Sequence, residues 1–235
     1  MNLLTTTEEK SSIENPRIRL SGRYKYVIMP IDPTVLIEKL GQAGFSLPSR
    51  LPRPPAGAGI SYQPVGSIGQ RGQDTVDLDL GKGIVAIEGV DSVDVVKDFK
   101  SVEQILSKEF LVDVEKRTWF LECIAEMSLK GRKSPTETTQ NLFPESKLFQ
   151  QVGQQMGVSV APFGLRLASK NSLPLDEDWF DFKLEPLVHN PRAYYVSIVY
   201  RSANRSKVYD FLSGLEAKVE DVLRTVELSG SRPSH

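Results

Sequence analysis

A single cysteine, Cys123, and two histidines, His189 and His235, stand in a chain of 235 residues. One thiol forms no internal disulfide and no cysteine-rich zinc site, and it fits a reducing compartment. With His235 at the last position, a His-based metal site or a Ser/His/Asp triad has only His189 to use. Long apolar runs are missing too: none approaches the roughly 18–20 residues of a membrane span. The opening MNLLTTTEEKSSIENP lacks the basic and apolar regions of a signal peptide. A cytoplasmic protein without membrane contact is expected. There is no excess charge of one sign either. A formal net charge of -1 gives no global pull toward nucleic acid or anionic lipid. A phosphate loop is also absent. Gly57-Ala58-Gly59 begins a dinucleotide-type pattern, but Tyr62 takes the third glycine position and no helix follows. No cofactor is expected.

Charge is present, but it is distributed unevenly. Residues 17–71 carry eight bases against Asp32 and Glu38, residues 74–126 carry thirteen acids against six bases, and 192–207 carry four bases and no acid. The first 16 residues are polar and read as a disordered tail. RYKYVIMPI (23–31) reads as a strand, and Asp32-Pro33 starts a helix with Leu36, Ile37 and Leu40 on one face and Gly44 as its stop. LPRPPAGAGISYQPVGSIGQRGQD (51–74), with four prolines, five glycines and no acid before Asp74, reads as a long connection. DTVDLDLGKGIVAIEGV (74–90) reads as a hairpin. A Gly81-Lys82 turn of type II′ pairs Leu78 with Val85 and Val76 with Ile87 on the apolar face. Residues 92–109 follow as an amphipathic helix.

The order then recurs. KRTWFLECIAEMSLKG (116–131) alternates as a strand, with Trp119, Leu121, Cys123, Ala125 and Met127 on one face and Glu122 and Glu126 on the other. Ser134-Pro135-Thr136-Glu137 is a capping box opening a helical stretch to Gly157. Three strands, VAPFGLRLAS, WFDFKLEPL and AYYVSIVYR, precede a last helix from about Asn204 to Leu228. The fold class is therefore α+β: an antiparallel sheet with helices on one face, built from two pseudo-repeated β-α-β-β-α halves. The halves fall at 17–112 and 113–228, with tails at 1–16 and 229–235.

This order resembles the tandem halves of the TATA-box-binding protein fold, with LDLGKGIVAIEGVDS placed like that family's glycine-turned hairpin. The resemblance implies a curved sheet with helices on its convex side. The family's DNA-kinking role is not carried over, because Asp77, Asp79 and Glu88 on the hairpin's outer face would repel phosphate. Phe163-Gly164-Leu165-Arg166-Leu167 is similar to the G-L-R-Y strand of a sporadically distributed archaeal and bacterial family, with Leu167 in place of the tyrosine. That family lends no activity.

The residues then point to a non-catalytic binding module contacting an acidic protein or nucleic acid. Its candidate contacts are Arg19, Arg23, Arg50, Arg53, Arg71, Arg192, Tyr195, Arg201 and Arg205, where Tyr195 shares a strand face with Ser197 and Arg201. The alternative is a small metal-dependent hydrolase in which Asp77, Asp79 and Glu88 hold a hard cation. Association into a homodimer through sheet edges or faces is a third expectation. Cys123 reads as a buried inert thiol, and Phe180, Phe182 and Leu184 as core.

Overall fold

The computed structural model describes residues 13–25, 31–47, 65–143 and 146–230. Strand β1 runs from Ile13 to Tyr24, so it begins inside the segment read as a tail and ends where the first strand was expected to start. Residues 26–30 of that expected strand lie outside the described residues. Helix α1, Pro33–Gln42, starts as its sequence requires: the Asp32 carboxylate accepts the Thr34 N–H at 2.8 Å, and Gly44 ends it with φ of +90°. Strand β2, Val65–Arg71, occupies the end of the proline- and glycine-rich stretch that was read as connection.

Strands β3, Asp74–Asp79, and β4, Ile84–Gly89, form the hairpin in the expected register, with Val76 opposite Ile87 and Leu78 opposite Val85. The turn differs from type II′. Gly83, not Gly81, has the positive φ (+63°); its N–H donates to Leu80 O at 3.2 Å, while the Asp79 carboxylate accepts the Lys82 N–H. Helix α2, Ser92–Glu109, is capped by the Asp91 carboxylate and buries Val95, Phe99, Val102 and Leu106. Burial of side chains of this size stabilises by about 1.5–3 kcal/mol each. Gly22 in β1 lets α2 approach, since a Cβ there would meet Phe99 Cζ at 2.9 Å.

A short helix α3, Val114–Arg117, leads into the long strand β5, Thr118–Lys130. Helix α4, Pro135–Leu142, has Ser134 as its cap, and α5, Lys147–Met156, ends at left-handed Gly157. Strands β6, Leu165–Ala168, β7, Trp179–Leu187, and β8, Asn190–Ser202, follow. The last helix is two helices: α6, Arg205–Leu212, and α7, Leu215–Ser229, separated by Gly214 with φ of +85°.

The eight strands of the described residues form one antiparallel sheet in the order β2-β3-β4-β1-β5-β8-β7-β6. The order is symmetric about the β1–β5 pair. Each half contributes a central strand, a helical crossover to the sheet edge, three antiparallel strands stepping from that edge back to the central strand, and a closing helical segment. The repeat is thus β-α-β-β-β-α: the first half gains β2 over the expected β-α-β-β-α order, while the three strands after the crossover of the second half are those read from the sequence. One face of the sheet carries Ile18, Leu20, Val76, Ile87, Leu121, Cys123, Val196 and Ile198, all buried beneath the helices in a single core shared by both halves. Among the described residues, every helix that contributes to that core lies on this face. Phe182 and Leu184 belong to it, as read from the sequence, and Cys123 is fully buried, with burial pushing its thiol up to about 12. No described helix is long and apolar enough to cross a membrane.

Candidate binding surface

The opposite sheet face is built from the alternate residues of the same strands, so its character follows from strand periodicity. It carries Arg17, Arg19 and Arg23 on β1, Asp77 and Asp79 on β3, Glu88 on β4, Glu122 and Glu126 on β5, and Tyr195 and Arg201 on β8. Runs of one sign in the sequence become pairs of opposite sign across strands. Arg19 hydrogen bonds to Asp77 and reaches Glu88 at 3.3 Å, and Arg17 holds Glu88 at 2.7 Å. Arg201 grips Glu122 with two nitrogens, its Nε at 2.8 Å, and also donates to the carbonyls of Pro174 and Asp176. Tyr195 donates its hydroxyl to Glu126 at 2.9 Å. The Arg17 hydrogen bond, with the charges of Arg17 and Arg19, holds the Glu88 carboxyl below its ordinary range.

At one end of this face a bulge changes the pattern. The β1–β5 register shifts between Arg23 and Tyr24, with Arg23 opposite Phe120 and Tyr24 opposite Thr118. Trp119 is left as the extra residue. Strict alternation would send it into the core with Leu121; the bulge instead sets its ring beside Phe120, centroids 5.4 Å apart. The Arg23 guanidinium lies 5.0 Å from the Trp119 centroid, and that of Arg201 lies 4.6 Å from Phe120. Trp119 Nε1–H donates to Glu177 at 2.5 Å. Two cations stacked on two rings thus sit at the junction of β1, β5 and β8. Among the described residues Arg23 is exposed and makes no ion pair.

The remaining predicted residues are dispersed. Arg205 lies on the helical side, where it hydrogen bonds to Glu103 and donates to Thr118 Oγ1 at 2.8 Å. Glu103 also accepts from Tyr24 and Tyr209, at 3.0 and 3.1 Å. Tyr24 and Glu103 come from the first half, and Thr118, Arg205 and Tyr209 from the second, so this buried network ties the halves together. Burial, then the adjacent Glu103 charge, raises the Tyr24 and Tyr209 hydroxyls well above the ordinary phenol range. A cleft of about 600 Å³ opens beside the network, lined by Lys100, Lys108, Arg205 and Tyr209. Arg71 pairs with Asp98 and stacks on Phe45 at 4.2 Å. Arg192 is exposed near the start of β8, away from the ring cluster. Arg50 and Arg53 lie outside the described residues.

The carboxylates of the metal reading share the open face, but their oxygens are committed. Asp77 and Glu88 are held by arginines, and Asp79 caps the hairpin turn at Lys82. Among the described residues no group of three or more His, Cys, Asp or Glu side chains is placed to hold a metal ion. A different acid is under strain of its own. Asp74 is 4% exposed, its Oδ2 has no hydrogen-bond partner, and burial with the nearby charges of Asp98, Asp94 and Asp91 raises its carboxyl to about 6.

The structure brings Arg19, Arg23, Tyr195 and Arg201 to one face. The sequence placed only Tyr195 with Arg201, left open whether the two basic segments meet, and missed Trp119, Phe120 and Glu122 as their neighbours. Phe120 and Glu122 were available from parity alone. Trp119 was not, because nothing local in TWFLE announces the bulge. No protein-family model matches the chain, and a search of curated proteins finds no match.

Proposed function

We propose that the chain is a non-catalytic binding module whose open sheet face takes an acidic segment of a protein partner at the Arg23, Trp119, Phe120 and Arg201 cluster. The observation carrying this reading is the bulge that turns Trp119 out of the core and under an arginine without a carboxylate partner. Tryptophan and arginine dominate the energetics of protein interfaces. The Arg23 guanidinium, stacked on the Trp119 ring without a carboxylate partner, keeps its donors free for an incoming carboxylate, while Arg201, held by Glu122, covers Phe120. A protein segment is favoured over duplex phosphate because Asp77, Glu88, Glu122 and Glu126 share the face and would repel a continuous polyanion.

The test is fluorescence anisotropy with three labelled probes: a glutamate-rich peptide, a single-stranded oligonucleotide and a duplex. The peptide is expected to bind at low salt, and Arg23→Ala or Trp119→Ala to weaken it about tenfold, or roughly 1.4 kcal/mol. Binding by the oligonucleotides alone would move the assignment to nucleic acid. Absence of binding by all three, or peptide binding indifferent to both substitutions, would sink the reading.

A further inference from the structure

Helix α5 is amphipathic, yet none of its residues is buried. Leu148, Val152 and Met156, spaced four apart and so stacked along one side, are 61%, 38% and 70% exposed. Beside them lies a groove in which Phe143 and Val158, 41% and 59% exposed, face Phe149 and Gly153. The groove is a built feature: the Val158 N–H donates to Gly153 O at 3.1 Å, and a Cβ on residue 153 would meet Val158 O at 2.7 Å.

We propose that this α5 face is an interface with a second copy of the chain. Area is the first argument. The five named exposed side chains offer on the order of 500 Å² of apolar surface, near the upper end for a monomer's largest patch. One partner in a standard interface contributes about 800 Å², so these side chains alone supply more than half of one side. Chemistry is the second. Along KLFQQVGQQM the only charge is Lys147, and the rim is four glutamines. An amide both donates and accepts, so this rim is complementary to itself, as a two-fold interface requires. An acidic or basic partner would find almost nothing to pair with.

Light scattering and sedimentation of the full chain, from low micromolar to submillimolar concentration, test the proposal. The mass is expected to double with concentration. Leu148→Glu and Met156→Glu should each hold the chain monomeric without changing its melting temperature, since neither side chain is part of the core. A wild type that stays monomeric throughout overturns the proposal, as does a dimer that survives both substitutions. Hydrogen exchange on the unmodified chain tests the same interface without a variant. Protection should rise with concentration across 147–156, and a rise confined to other segments overturns the proposal by placing the dimer contact elsewhere.

Discussion

The two halves share one topology, but they handle their helices differently. In the first, α1 buries Leu36 and Leu40 completely, and α2 is a continuous 18-residue helix with its apolar stripe under the sheet. In the second, the crossover is divided into α4, which packs against the core, and α5, which buries nothing, while the closing helix breaks at Gly214. Topology therefore fixes where a helix must return to the sheet. It does not fix whether all of the helix is consumed in packing. The first half commits its helices to stability, and the second leaves one helical surface open.

The largest effect should come from cutting the tie between the halves. Arg205→Ala leaves Glu103, 6% exposed in its side chain, as a buried carboxylate without its cation, and should cost about 3–5 kcal/mol in urea unfolding. A loss below about 1 kcal/mol would mean that the halves are joined by apolar packing and backbone pairing alone. The contrast between α1 and α5 is tested by a matched pair. Leu36→Ala should destabilise by about 2–5 kcal/mol, while Val152→Ala should stay within about 0.5 kcal/mol in monomeric protein. Equal losses would erase the distinction. Gly214→Ala should cost about 1 kcal/mol, because an alanine resists φ of +85°. A gain in stability would mean that the break between α6 and α7 is not needed.

Asp74 gives an effect of another kind, a slope with pH rather than a step. Its folded carboxyl titrates at about 6 against an ordinary 3.8, so in that window the folded state holds more protons than the unfolded chain. Stability should then fall as pH rises from about 4 through about 6 and level off above. Asp74→Asn should remove that part of the slope. Unfolding curves of the two proteins running parallel across this range would refute it.

The sequence carried the elements whose signal is local. Asp32 and Ser134 announce helix starts, and the alternation from Val76 to Ile87 sets a register that the sheet keeps. What it concealed has physical causes. Strand β2 is VGSIGQR, with Gly66 at φ of +124° and a bulge between Ser67 and Gly69, so it lacks the β-branched density that marks a strand. The start of β1 holds Asn15 with positive φ next to Pro16, again at a bulge, and reads as loop. The division of the last helix was hidden because apolar spacing continues across Gly214. At the candidate site, parity placed Tyr195 and Arg201 on one face, but not the β1 arginines that join them nor the neutralising acids, which lie 58 or more residues from the arginines they pair with. Pairing at that range is a property of sheet order, and local patterns do not encode it.

Placing β1 at the middle of the sheet has a consequence for synthesis. Its partners, β4 and β5, begin roughly 70 and 105 residues after it, so among the described strands the central one is made first and waits longest for its second partner. While a ribosome is still extending the chain, the first half can close β1 onto β4, yet the other edge of β1 stays unpaired until β5 emerges. High contact order of this kind slows folding and lengthens the exposure of a sticky edge. Arg17, Arg19 and Arg23 along that edge would then act as a charged guard against pairing with a neighbouring nascent chain, before they become part of a finished surface.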